Sequence, residues 1–424
     1  MADLLRKNKM FVGLLIYQVF SGLGGGIFSL FMLLSVHLLY ETPMYTGIAA
    51  FLMAVPWLFS FAAGPFVDRA NKVRVMRITT FIEFVVVGAL VVLAYFDMLN
   101  VWFMFALILL YSITSVFEAP SGWAFLRKIV HEDEMLKANS LINIASTAGG
   151  LGVAAILLGV LGLDGEDNII LIYAISALFL LIAMIVTFFV KDKINETENP
   201  VHESKIKQYI AELKLGGSFV RNTNFIFYFL ITGVVAVFFM DLAYTNLPEF
   251  ATTHVGAQGY IILTVAGLAA GLFSSILAGL IGEKFRIGPL VCIVMIMMGV
   301  IRIFYAYVLP LSLIGGIALM FVYRLVGNYS GTIESSLIQR STPKDMIARV
   351  QTVQTTFFAI FGALGALAGG VVGSLITTVD HVFVLQGMVY IAIGFVMILI
   401  PSIRRLPRIN EMKGPNDEEA ETNM

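Results

Sequence analysis

Long apolar runs, broken by short clusters of charged and turn residues, dominate the chain. At about 20 residues, each run is long enough to cross the hydrocarbon core of a bilayer as a helix. Cutting at the interruptions predicts spans near 11–39, 45–66, 75–96, 101–119, 139–162 and 168–190. A second six follows near 224–247, 259–282, 288–309, 311–338, 351–378 and 382–401. Between the sets lies a polar stretch in which Ile206, Tyr209, Ile210 and Leu213 recur at helical spacing among Lys205, Lys207, Glu212 and Lys214. That pattern predicts an amphipathic helix on the membrane surface. The chain thus divides into a bundle at 1–190, a cytoplasmic linker at 191–222, a bundle at 223–402 and a polar cytoplasmic tail at 403–424. The fold class is an all-α polytopic membrane protein with twelve transmembrane helices in two pseudo-symmetric six-helix bundles.

Composition narrows the function. Of 424 residues 59% are hydrophobic and 13% charged, against about 25% charged in an ordinary soluble domain, and the mean hydropathy is +0.90. A soluble enzyme is excluded. A net charge of −1 with 5 scattered His offers no basic face for nucleic acid. The sole cysteine, Cys292, rules out an internal disulfide and a Cys-rich metal site, so no metal or cofactor is expected. No Gly-Lys-Ser/Thr phosphate loop is present, so the chain itself should not hydrolyse ATP. Gly24-Gly25-Gly26 and Gly149-Gly150-Leu151-Gly152 fall inside spans and read as helix-packing glycines. The first run, Met10 to Leu39, follows Arg6, Lys7 and Lys9 as a signal peptide would, but it is about twice as long and reads as a retained span.

Orientation follows from the Lys and Arg residues. Arg6, Lys7 and Lys9, then Arg69, Lys72, Arg74 and Arg77, then Arg127, Lys128 and Lys137 fall on one side, together with the linker cations. Lys284, Arg286, Arg340, Lys344, Arg349 and the tail cations fall there too, while the opposite loops hold Glu41, Asp97, Asp164, Glu166, Asp167, Glu249 and Asp380. The positive-inside rule places both termini and the linker in the cytoplasm, with the protein in the cell membrane. The halves also echo each other. Gly64, Asp68 and Arg69 correspond to Gly279, Glu283 and Lys284, Asn8 and Phe11 to Asn222 and Phe225, and Met135 to Met346, at offsets of 215, 214 and 211. A duplicated six-span unit with a substrate site between the halves is the implied architecture.

Gly64-Pro65-Phe66-Val67-Asp68-Arg69-Ala70-Asn71-Lys72 resembles the loop signature of the major facilitator superfamily. In physical terms, Gly64 lets two helices approach, Asp68 can accept from free amides at the next helix start, and Arg69 can lock neighbouring helix ends. Gly64, Asp68, Arg69, Glu283 and Lys284 are therefore expected to form a conformational gate. Asn71 stands where the family has a second glycine and is expected to tolerate left-handed geometry. The opening from Asn8 to Leu15 with Gln18, Ser21 and Gly24 is similar to the macrolide-efflux and enterobactin-exporter branch. So are Leu136 to Ser140, Glu212 to Gly216, and Ala348 to Val350. Two features depart from it: Gly25 stands where such exporters carry an acid, and the run at Gly149 lacks the antiporter proline.

An ionisable group at membrane depth costs a few kcal/mol, so each needs a partner, water or a function. Glu83, Glu118, Asp241, Arg302, Arg324 and Glu334 are such groups. The resemblance implies that spans 1, 4, 7 and 10 line the cavity, which makes Asp241, Glu118, Glu334 and Arg324 the candidates for proton coupling and substrate binding. Asp241 pairs by the repeat with Ile27, two residues past Gly25, and is expected to take up a proton from outside and release it inward. Arg324 and Glu334 are ten residues apart on one span and cannot pair, so Arg324 is expected to meet either a carboxylate on a neighbouring helix, Asp241 being one candidate, or an anionic substrate group. Glu83 and Arg302 are expected to pair structurally. The resulting expectation is a monomeric exporter of amphiphilic small molecules working by alternating access in exchange for protons. Alternatives are a lipid or siderophore-like metabolite transporter, an uncoupled facilitator or, more remotely, a membrane sensor that transports nothing.

Overall fold

The computed structural model describes residues 8–59, 70–131, 134, 138, 141–142, 145, 149–150, 152–153, 168–190, 205–281, 285–343, 346–376, 378–408 and 411. Among them the secondary structure is helical throughout. The helices are α1 (Lys9–Tyr40), α2 (Pro43–Ala54, continued by a 3-10 turn over Val55–Phe59), α3 (Lys72–Tyr95), α4 (Val101–Ile129) and α5 (Ile169–Phe189). There follow α6 (Lys205–Asn222), α7 (Asn224–Thr245), α8 (Leu247–Ile281), α9 (Ile287–Val308), α10 (Leu313–Arg340), α11 (Ile347–Leu375), α12 (Asp380–Leu399) and a short α13 (Pro401–Arg404). Ten helices among the described residues are long and apolar enough to cross a membrane. Of the other two expected spans, 45–66 is described only as far as Phe59, and most of 139–162 lies outside the described residues.

Polar residues at the edges of the apolar runs start several helices. Asn8, Asn71, Asn100 and Ser312 each accept a hydrogen bond from the backbone amide three residues on, satisfying a donor that the first helical turn leaves free. Asn71 is extended (φ −65°, ψ 115°) and works as this cap, so the left-handed geometry expected of it is not used. The fourth span runs ten residues beyond the expected end at 119. Pro120 lies inside α4 rather than ending it, because a proline costs one amide bond and the helix resumes. In α8 the break falls instead at Gly256, whose φ of +73° only glycine adopts without strain.

The described chain forms two compact units, Met1–Lys205 and Ile206–Met424. In the first, α1 packs on α5, α3 on α5 and α4, and α2 on α4 and α1. In the second, α7 packs on α12, α9 on α12 and α10, and α8 on α10, so the duplication reappears as a repeated pattern of helix neighbours. Small residues set the closest approaches, as is usual where lipid removes the hydrophobic drive between helices. In the first unit a side chain at Gly24 would meet Leu180 and the Ser176 carbonyl, and Ser176 Oγ donates to the Gly24 carbonyl at 2.8 Å. In the second, Gly362, Gly365 and Gly369 line the crossing of α11 over α7. Asn246 closes that crossing by donating to the Gly369 carbonyl at 2.9 Å.

The helix in the linker exists, its side chains are described from residue 211 onward, and those of Leu213, Phe219 and Val220 pack on protein. Val220 is buried and Leu213 and Phe219 pack with it against Ile226, Leu230, Val234, Ile338, Val350 and Val353. Gly216 lies against the backbone carbonyl of Arg349. Burying these side chains among α7, α10 and α11 removes them from water as completely as a lipid surface would, and it fixes the helix to the second unit.

Candidate functional site

Within the first unit, α1, α3 and α4 turn a polar seam toward one another inside an otherwise apolar interior. Glu118 lies two residues before Pro120, and its Oε1 accepts from Tyr17 at 2.5 Å and from Ser21. The Tyr17 hydroxyl also stands 2.9 Å from Thr80 Oγ1, which is itself 2.8 Å from the Met76 carbonyl. Glu83, one turn beyond Thr80, is completely buried. Its Oε1 accepts a long hydrogen bond of 3.4 Å from Thr114, and its Oε2 has no hydrogen-bond partner among the described residues. The two carboxyls lie close enough to feel each other, and Tyr111 and Tyr17 are near both. Tyr111 stacks on Phe28 with ring centroids 3.8 Å apart.

Gly25 belongs to this seam. A Cβ there would come within 2.8 Å of the Tyr111 hydroxyl, so the space that an acid at this position would occupy is filled by a tyrosine from α4. Glu83 was expected to pair structurally, and the structure gives it Thr114 and Glu118 as neighbours with no ion pair among the described residues. The positive charge nearest along α3, Arg77, is turned away: its Nη2 donates to the Thr187 carbonyl at 2.8 Å and its guanidinium lies 4.1 Å over Phe188.

The second unit holds Asp241 on α7 and Arg324 on α10 near enough to interact, without an ion pair within 4 Å. The Arg324 guanidinium lies 6.0 Å from the Tyr244 ring centroid, and Tyr260 of α8 is close to the Tyr244 hydroxyl. Two glycines make room for the charges. A Cβ at Gly362 would sit 2.5 Å from Asp241 Oδ2, and one at Gly267 3.3 Å from Arg324 Cγ. Gly362→Ala should therefore displace the Asp241 carboxylate while leaving its charge in place. A fall in transport with unchanged thermal stability is the expected result. Glu334, ten residues past Arg324 on the same helix, is half-buried and has no ion pair among the described residues.

Among the described residues Arg302 is held without any carboxylate. Only 4% exposed, it donates from Nε to Gln386 Oε1 at 2.6 Å and lies 5.0, 4.8 and 4.6 Å from the ring centroids of Tyr305, Tyr323 and Phe383. Gln386 in turn donates to the Tyr323 hydroxyl at 3.1 Å. The π faces of three rings stabilise the cation where an acid was expected, a contribution that grows with desolvation. The five residues of the expected gate, Gly64, Asp68, Arg69, Glu283 and Lys284, lie outside the described residues.

Sequence reasoning passed over Tyr17, Ser21, Thr80, Tyr111 and Gln386. A signal was present: Tyr111, Thr114 and Glu118 recur at intervals of three and four, as do Tyr17 and Ser21, and Thr80 and Glu83. Each is a narrow polar stripe on one face of an apolar helix.

No three or more His, Cys, Asp or Glu side chains gather in a metal-binding group among the described residues. The chain is 26% identical over 375 residues to macrolide efflux protein A of Streptococcus pyogenes, an alignment covering 86% of this chain and 89% of that protein. Its fold matches the crystal structure of the nucleoside transporter NupG with a TM-score of 0.72 at 14% identity, covering 96% of this chain and all of the other. A D-xylose-proton symporter matches with a TM-score of 0.66 at 12% identity, covering 95% and 98%. The family model of the Major Facilitator Superfamily matches residues 10–366. This multi-pass chain, with its buried carboxyls and repeated helix units, is a small-molecule transporter of the Major Facilitator Superfamily.

Proposed function

We propose that the protein is a secondary active exporter of amphiphilic, macrolide-like molecules, working by alternating access in exchange for protons. The observation that carries this reading is the state of the membrane-depth charges. Glu118, Asp241, Arg324 and Glu334 lie on helices long enough to span the bilayer, and none is locked in an ion pair among the described residues. A fixed structural ion pair would hold its charge through a cycle, whereas a carboxyl bonded only to hydroxyls can change its protonation without losing a counterion. The similarity to a macrolide efflux protein supports the substrate class, and the cation distribution supports a cytoplasmic linker and tail in the cell membrane. A monomer with two internal repeats is sufficient for such a cycle.

Reconstitution into proteoliposomes with an imposed pH gradient tests the proposal, using radiolabelled erythromycin as the probe. Proton-driven export predicts flux that rises several-fold with the gradient and collapses when a protonophore is added. Glu118→Gln and Asp241→Asn should each lower the driven flux by about tenfold or more, the scale expected when a required proton-transfer group is lost. Flux indifferent to the gradient in the wild type would refute the coupling, and absence of erythromycin flux would refute the substrate class.

A further inference from the structure

We propose that Glu83 and Glu118 together form one proton-binding site in the first unit, holding a single exchangeable proton, with Tyr17 relaying the change in occupancy to Thr80. The inference rests on the proton-exchange reading above and assigns its site. Three observations carry it. First, the two carboxyls are neighbours in a largely apolar interior, one of them fully buried with an oxygen that has no hydrogen-bond partner among the described residues. Two negative charges so placed repel strongly, and the pair is relieved by retaining one proton.

Second, among the described residues no positive charge faces the pair from the helices packed around it. From α1 come Tyr17 and Ser21, from α3 Thr80, and from α4 Tyr111 and Thr114. Arg77 is bound to Thr187 of α5, Tyr173 of α5 is bound to Ser35 at 2.5 Å, and Tyr45 of α2 packs edge-on against Phe105. The negative charge is thus compensated by a proton or by hydroxyl dipoles.

Third, the hydroxyl hydrogens can be satisfied in both states. With Glu118 ionised, Thr80 donates to Tyr17 and Tyr17 to Glu118. With Glu118 protonated, Glu118 donates to Tyr17, Tyr17 to Thr80, and Thr80 to the Met76 carbonyl. Each hydroxyl keeps one donated bond, so occupancy reverses the chain of hydrogen bonds without moving a heavy atom. Glu118 is partly exposed and Glu83 is not, which makes Glu118 the port for the proton and Glu83 the inner group that makes its binding depend on charge.

The test is pH-difference infrared spectroscopy of the full chain in lipid nanodiscs, with no substrate added. The wild type should show a carboxylic-acid carbonyl band that disappears on titration. Glu118→Gln and Glu83→Gln should each move the midpoint of that band by about one pH unit or more, because the surviving carboxyl has lost its charged neighbour. Tyr17→Phe, which keeps the ring and its packing, should move it less and preserve the band. If a Gln variant fails to fold, Tyr17→Phe decides alone: an unmoved midpoint overturns the proposal. A band unaffected by all three substitutions, or lost only in Asp241→Asn, also overturns it. A pair that titrates as described in a protein whose flux ignores the pH gradient would leave this site standing and remove the coupling. Gradient-driven flux with a pair that does not titrate would do the reverse.

Discussion

Gly387→Val should leave almost no folded protein to purify. Where α12 crosses α9, Gly387 and Gly299 bring their backbones together. A Cβ on Gly387 would lie 2.6 Å from the Gly299 carbonyl and 2.6 Å from the Ile303 side chain, and one on Gly299 would meet the Gly387 carbonyl and Ile391. A flexible side chain could swing away, but a helix backbone hydrogen-bonded along its length cannot. The helices must part, and parting them also strips the neighbouring contact of Gly394 with the Cys292 carbonyl. Overpacking costs typically about 1–3 kcal/mol where side chains can adjust, so a clash with backbone should exceed about 3 kcal/mol. Size-exclusion profiles of detergent-solubilised protein and thermal unfolding report the outcome. Gly88→Ala, where nothing lies within 4 Å of the added carbon, should be tolerated and serves as the control. A monodisperse Gly387→Val with wild-type stability would show that the crossing is looser than its geometry.

Gln386→Leu should destabilise the second unit by about 3 kcal/mol, while the double variant with Arg302→Met should recover much of that loss. Gln386 is completely buried and, among the described residues, carries the one polar bond to the Arg302 guanidinium and leaves its Nη1 without a partner. Leucine is close in volume, so the packing survives. What is lost is the acceptor, and a buried cation left with aromatic faces alone keeps its desolvation cost without its hydrogen bond. Removing the charge as well removes that cost, so the two substitutions should be strongly non-additive in thermal unfolding. Additive losses would indicate that the site is held by shape rather than by the charge. The same cage is not legible in the sequence: Tyr305, Tyr323 and Phe383 come from three helices, and in one dimension they are three more aromatic residues among many.

The candidate site was legible only in part. Glu118 and Asp241 announce themselves because a charge in an apolar run is costly wherever the run folds. Glu83 announces itself equally, yet its sequence says nothing of whether a cation or a second carboxyl will stand opposite. Gly25 is more instructive still. The departure from an exporter's acid at that position reads as a missing function, whereas in three dimensions Tyr111 fills the gap and two carboxyls lie nearby on other helices.

The sequence by itself determined the class of this protein. Lengths of apolar runs fix where helices must form, since every backbone polar group in lipid has to be satisfied within its own segment. Asparagines at the edges of the runs fix where several begin, and offsets of about 214 residues carry the duplication. Tertiary structure alone decided which faces meet. Helix rotation is set by close contacts such as Gly24 on Ser176 and Gly299 on Gly387, and those contacts depend on the partner helix as much as on the glycine. For that reason the pairing of Glu83 with Glu118, the caging of Arg302 and the docking of the Lys205–Asn222 helix on the second unit emerge only when the helices are packed.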